Sequence, residues 1–218
     1  MMLISHTNNL LILFIGIEIM SICFYVLSGY FRKSIKSVEA ALKYFLLGAF
    51  ATGFLVYGMA MIYGGTGSFD IPTIAEQVRI GEITGIYLTI GVALLLIGLS
   101  FKVAAFPFHQ WAPDVYTGAP TVVTAYMSTA GKAAALIGFI IVAKALIPFD
   151  TMNEMIADNA RTTQMIVALI SAATMLVGNI TAVVQRNVKR MLAYSSVAHA
   201  GYMLMGVVAN TALGYSGI

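Results

Sequence analysis

The sequence predicts an all-α integral membrane protein, a polytopic helical bundle in which one transmembrane helix is broken by proline. Three observations carry this. Of 218 residues, 60% are hydrophobic and only 10% charged, against about 25% charged in a soluble domain. Six apolar segments each lie near the ~20 residues that one span requires. The alternating ten-residue pattern of a membrane β-barrel is missing from the sequence, and helices are the remaining structures that satisfy their own backbone in lipid.

In chain order the segments are 10–29, 44–63, 86–109, 121–147, 163–184 and 197–213, and residues 3–5 read as the tail of another. The third does not stop at 109. It continues to about 118, roughly 50 Å of helix at 1.5 Å per residue, too long for one simple span. Pro107 and Pro113 fall in its second half. Each proline lacks an amide donor and collides with the carbonyl one turn back, so a break is expected after Lys102. Freed backbone groups are tolerated at membrane depth where protein or a wet cavity satisfies them, and transporters place ion sites at such discontinuities. A plain proline kink is the other reading.

Charge placement orients the bundle. The net charge of +3 does not argue for nucleic acid, because most Lys and Arg lie at helix ends. The 30–43 loop carries Arg32, Lys33, Lys36 and Lys43, and the 185–190 loop carries Arg186, Lys189 and Arg190. The loops after the second and fourth segments hold only Arg79 and Arg161, with Asp70, Glu76, Glu82, Asp150, Glu154 and Asp158. By the positive-inside bias, loops 30–43 and 185–190 face the cytoplasm and the acidic loops face outward. No linker, low-complexity stretch or short repeat divides residues 1–218, which read as one membrane domain. MMLISHTNNL and GYSGI lack polar flanks, so the domain is expected to be incomplete at both ends.

Ionisable residues inside the spans are the candidate site. Lys102 lies sixteen residues from either end of 86–118, and a charge at bilayer depth costs roughly 2.5–3.5 kcal/mol even on the lenient insertion scale. Lys132 lies twelve residues past Pro120, about 18 Å of helix, beside Ser128, Thr129, Gly131 and three alanines. Lys144 sits near the end of that segment, where snorkelling explains it. Glu18 is midway along the first segment and is the natural partner of Lys102. An unpaired buried carboxylate would protonate, whereas a lysine partner lets both groups stay charged. A purely structural ion pair is the alternative. His109 follows Pro107, and His199 follows Ser195 and Ser196 by about one turn. Both suit a proton relay, and both suit hydrogen-bonded helix contacts. Neither has a second His or Cys at metal spacing. Cys23, in an apolar run with no CxxC, reads as a packed core cysteine.

Phosphate-binding and dinucleotide glycine loops, a nucleophile elbow, cysteine clusters and haem-ligand pairs are all missing from the sequence. No cofactor or metal is therefore expected in this chain. The residues already singled out also carry a resemblance. The runs FKVAAFPFHQWAPDVYTGAPTVVTAYMSTAGKAA, NVKRMLAYSSVAHAGYMLMG and GYFRKSIKSVEAALKYFLLGAFATGFLVYGMAMIYG resemble the antiporter-like membrane subunits of respiratory complex I (NADH–quinone oxidoreductase), within them the subunit N family. Related members, including the multisubunit sodium/proton antiporters, share the lysine, the PFH-like turn and a W-x-PD step. WAPDVYTGAPT followed by STAGK favours subunit N.

The resemblance implies two inverted five-helix repeats, of which this chain holds the first and the start of the second. It implies a Glu18–Lys102 pair with relay to Lys132, and places His109 and His199 on a central hydrophilic axis. It implies proton translocation coupled to NADH oxidation and quinone reduction elsewhere in the complex. The membrane-arm subunits of complex I would be partners, and NAD, FMN, iron–sulfur clusters and quinone would be bound by partner subunits. A sodium/proton antiporter subunit and a non-transporting scaffold are the alternatives.

Overall fold

The computed structural model describes residues 1–81, 86–147 and 154–218, with 154–157, 159 and 212 described by backbone alone. Among the described residues, six helical spans are long and apolar enough to cross a membrane: Leu10–Ser28, Ile35–Thr66, Ile86–Val103, Thr121–Leu146, Ala160–Val183 and Val188–Ala209. The acidic positions Glu82 and Asp150, and the side chain of Glu154, lie outside what is described.

Helix α1 (Met2–Ser5) is one turn that buries Ile4 completely. Helix α2 (Leu10–Ser28) starts at Asn9, whose side chain accepts from the amides of Leu11 and Ile12, satisfying two of the orphan donors of a first turn. One face of α2 buries Leu10, Leu13, Ile17 and Phe24, while Ile15, Ile19, Ile22 and Val26 face outward. Cys23 lies on the outward side and is exposed. It is not the core cysteine the sequence predicts. Lipid and protein core are both apolar, so composition does not say which one an apolar face meets.

Helix α3 (Ile35–Thr66) begins nine residues before the expected span at 44. The expected 30–43 loop is therefore only a short turn ending at Ser34. The reason is local: SVEAALK contains no Gly or Pro and several strong helix formers, so the helix runs past the apolar stretch that hydropathy detects. Gly67, at φ 66°, ends it in the left-handed cap that glycine adopts without cost.

A short amphipathic helix that hydropathy does not detect, α4 (Ile71–Ile80), follows. Asp70 caps it through the Thr73 amide at 3.1 Å. The Leu10 amide donates to the Phe69 carbonyl at 2.8 Å and the Ile71 amide to the Asn8 carbonyl at 2.7 Å. These two bonds fasten α4 to the start of α2. On its exposed face the Arg79 guanidinium hydrogen-bonds Glu76 at 2.9 and 2.8 Å, which holds that carboxyl below the usual carboxylate range.

Helix α5 (Ile86–Val103) packs on α3 at very short range. A Cβ at Gly58 would sit 2.9 Å from the Gly91 carbonyl oxygen, the close approach that small residues permit in membranes. After a break at 104–110, helix α6 (Trp111–Gly118) turns back over α3. The fourth span is composite: α7 (Thr121–Tyr126), a π-helical turn at Met127–Gly131, and α8 (Lys132–Leu146). Helices α9 (Glu154–Val183) and α10 (Val188–Ala209) form a hairpin. In it a Cβ at Gly178 would sit 2.7 Å from the Ala198 nitrogen. The last expected span, 197–213, thus begins nine residues earlier and stops where Asn210 takes φ 44°. Helix α11 (Ala212–Ser216) follows, and its Tyr215 ring lies 4.1 Å from Lys144 Nζ. Lys144 thus sits over an aromatic face, a partner that snorkelling alone does not supply.

Candidate functional site

The break is built from Pro107. In a continued helix this proline would clash with the Val103 carbonyl, four residues back, and give it no amide. Helix α5 ends at Val103. Ala104 takes φ 59°, a left-handed conformation uncommon for a residue with a Cβ. Pro113 plays no part in the break. It is the third residue of α6, in the first turn, where an amide has no helical acceptor to lose.

Protein groups satisfy much of the freed backbone. The Ala105 amide donates to the Ser100 carbonyl at 2.8 Å and the Ala104 amide to the Phe101 carbonyl at 3.0 Å. Trp111 Nε1 donates to that same Phe101 carbonyl at 3.0 Å. The Phe106 amide donates to Thr174 Oγ1 of α9 at 2.9 Å. Thr174 is fully buried, so Thr174→Val should strand that amide at a cost of about 1–3 kcal/mol. Thr174→Ser should not, and the thermal midpoints of the two variants in the intact membrane assembly check this.

Lys102 projects from the last turn of α5 into the bundle, with its side chain 3% exposed. Its Nζ donates to Glu18 Oε1 at 2.9 Å and to Ser21 Oγ at 2.8 Å. Thr52 of α3 donates to the same Glu18 oxygen at 3.0 Å. The predicted partner is therefore in contact, and two hydroxyl residues complete the cluster. Ser21 had a visible signal: it lies three residues past Glu18, hence on the same helix face. Thr52 had none.

Lys132 is buried at the point where the π turn hands over to α8. Its Nζ donates to the Ser196 carbonyl of α10 at 2.6 Å. A π turn places five residues where an α-helix would end its ring at four, and such turns recur at functional sites. Small residues make room here too, because a Cβ at Gly131 would come within 2.9 Å of the Phe24 ring.

Two cavities meet at this point. A small one, about 10 Å³, is bounded by Ser21, Lys102, Trp111, Tyr116, Gly131 and Lys132, among others. That is about the least space one water occupies. A larger one of about 800 Å³ lies between the composite span and α10, and its polar lining includes Ser128, Thr129, Lys132, Ser196 and His199. His199 Nδ1 lies 2.8 Å from the Ser195 carbonyl. A carbonyl only accepts, so Nδ1 is the donor in this contact. His109 lines neither cavity. It stacks on Phe106, with ring centroids 5.6 Å apart, and its Nδ1 is buried with no hydrogen-bond partner among the described residues. The small cavity thus joins Lys102 to Lys132 and the larger one joins Lys132 to His199, while Glu18 connects through its ion pair with Lys102 and His109 lies to one side. Among the described residues no three His, Cys, Asp or Glu side chains group as a metal site.

One cluster went unread in the sequence. Asp114 of α6 accepts from Lys43 of α3 at 2.9 Å and from Arg190 of α10 at 2.7 Å. It thereby clips α6 between the helix that steadies Glu18 and the helix that meets Lys132. No local pattern marked it, because the three residues come from three helices far apart in the sequence.

Comparison with known proteins gives the family of the chain. A family model described as NADH:quinone oxidoreductase/Mrp antiporter, TM, matches residues 7–218. The chain is 52% identical, over its whole length and 44% of the relative's, to the protein named NADH-quinone oxidoreductase subunit N 1 of Chloroherpeton thalassium. Respiratory complex I from Thermus thermophilus contains a chain that superposes with a TM-score of 0.77 at 39% identity, covering 94% of this chain and 42% of that one. A chain of the Mrp complex from Dietzia sp. superposes at 0.79 with 28% identity, over 95% and 37% of the two chains. The chain spans less than half the length of these relatives. On the strength of the family match across 7–218, the chain is a member of the NADH:quinone oxidoreductase/Mrp antiporter transmembrane family.

Proposed function

We propose that this chain is the proton-handling portion of a proton-translocating membrane subunit of NADH–quinone oxidoreductase. The observation that carries the reading is the Glu18–Lys102 pair at a broken helix, whose lysine shares one small cavity with Lys132. A structural ion pair alone would need neither the second buried lysine nor the cavity between them. Protons would pass from the Glu18–Lys102 pair to Lys132 and on toward His199, which lines the larger cavity. His109 would serve as a helix contact beside this path. Moving Glu18 relative to Lys102 would change how strongly Lys102 holds its proton, because a nearby carboxylate favours the charged form.

NAD, FMN, iron–sulfur clusters and quinone would be held by partner subunits, which would supply the redox energy. The short basic turn before Ser34 and the one at 184–187 would face the cytoplasm. The five-helix repeat and its inverted continuation would follow the family's plan. The 52% identity to a protein named subunit N, against 28% to the Mrp chain, favours this reading over a sodium/proton antiporter.

The test is Lys102→Ala in the intact assembly, reconstituted in vesicles. NADH-driven proton uptake should fall sharply while NADH oxidation by a soluble acceptor persists. Normal proton stoichiometry in that variant would remove the proposed role, and sodium-dependent transport without NADH would favour the antiporter.

A further inference from the structure

Among the described residues two line both cavities, and one of them is not a lysine. Tyr116 of α6 and Lys132 together border the small cavity holding Lys102 and the large one holding His199. They form the partition between the two spaces. Tyr116 is 1% exposed, and its hydroxyl has no hydrogen-bond partner among the described residues. Buried polar groups are almost always satisfied, by protein or by an ordered water. The rest of the residue is firmly held. Its ring meets Trp111 edge-on at 5.7 Å and 86°, and its carbonyl accepts from Thr124 Oγ1 at 3.0 Å. The hydroxyl therefore has little freedom to swing toward another partner. The space beside it is about the size of one water and is also lined by Ser21, Lys102 and Lys132. A water there would find the two to four polar partners that buried waters require.

We propose that the Tyr116 hydroxyl holds a water in the small cavity and relays the proton between Lys102 and Lys132. The inference rests on the proton-translocating reading given above. The step balances without a co-reactant. The Lys102 ammonium gives a proton to the water, and the water gives one of its own to the phenol oxygen. The phenol proton passes to the unprotonated Lys132 amine, which becomes the ammonium. Water and phenol are regenerated, and one positive charge has crossed the partition. Because Tyr116 sits on α6, the second half of the broken helix, a small shift of α6 would open or close this link. That gives the break a use beyond making room.

The test compares Tyr116→Phe with Lys132→Met in the intact assembly in vesicles. Phenylalanine keeps the ring contacts with Trp111 and deletes only the hydroxyl. Tyr116→Phe should lower coupled proton pumping about tenfold or more, with assembly and soluble-acceptor NADH oxidation unchanged, and should alter the solvent deuterium isotope effect on turnover. Normal pumping in Tyr116→Phe beside defective pumping in Lys132→Met overturns the relay and leaves the broader reading standing. Normal pumping in both variants overturns the broader reading and the relay with it. Independently of any variant, a high-resolution structure of the complete assembly should place a water within hydrogen-bond distance of the Tyr116 hydroxyl. A protein side chain in that position overturns the proposal.

Discussion

Glu18→Ala, made alone, is expected to destabilise the subunit by about 3–5 kcal/mol, and adding Lys102→Met should recover most of that loss without restoring pumping. Burial sets the size of this loss. The Lys102 side chain is 3% exposed and its partner carboxylate 18%. Removing one member of a buried pair leaves an uncompensated charge, which is far worse than removing both. With Glu18 gone, the neutral Ser21 hydroxyl is the one acceptor left to Lys102 Nζ among the described residues. Methionine has nearly the length of lysine, carries no charge and fills irregular gaps. The double variant should therefore pack. The measurement is a double-mutant cycle on the thermal midpoint of the detergent-purified assembly, run beside proton uptake in vesicles. Equal stability of Glu18→Ala and the parent would show that the pair is solvated in the assembly, and would remove the electrostatic basis for the proposed path.

That pair was legible in the sequence because charge in an apolar run is expensive and must be answered nearby. Pro107 was legible for the same kind of reason, since a missing amide and a carbonyl clash leave the helix nowhere to go. Pro113 was not, because a proline that breaks a helix and one that opens the next helix look identical in one dimension. Only the position of the break separates them, and that is set by Ala104 and by Thr174 reaching in from α9. Hydropathy located α2 nearly to the residue, and it missed the first nine residues of α3, which are helical without being apolar. It was silent on which way Cys23 points, because in a membrane both sides of a helix are oily.

The π turn at Met127–Gly131 had no signal at all. TAYMSTAGKAA reads as ordinary helix, and the close approach of Gly131 to the Phe24 ring depends on a distant helix that no local pattern encodes. The ion cluster around Asp114 failed for a different reason. Lys43, Asp114 and Arg190 are each unremarkable alone, and their meeting depends on how three distant helices are stacked.

Trp111→Ala should cost about 3–5 kcal/mol and abolish coupled pumping, whereas Trp111→Phe should cost only about 1 kcal/mol and leave pumping largely intact. Trp111 is 3% exposed. It stacks on Tyr44 of α3 at 4.5 Å and 17°, lies 5.6 Å from Phe101 of α5, and meets Tyr116 edge-on. One side chain thus ties the last turn of α5, which carries Lys102, to α3 and to the rest of α6. Truncation to alanine would leave a cavity against the space that Lys102, Tyr116 and Lys132 share, and interiors collapse only partly around such losses. Water entering there would short-circuit the ordered step between the lysines. Phenylalanine keeps most of the stack and loses the indole N–H, but the Phe101 carbonyl retains the Ala104 amide at 3.0 Å. The two variants therefore separate packing from hydrogen bonding, read as thermal midpoint and as protons moved per NADH oxidised. If Trp111→Phe proves as damaging as Trp111→Ala, the indole hydrogen bond to the broken end of α5, and not the aromatic stack, is what holds Lys102 in place.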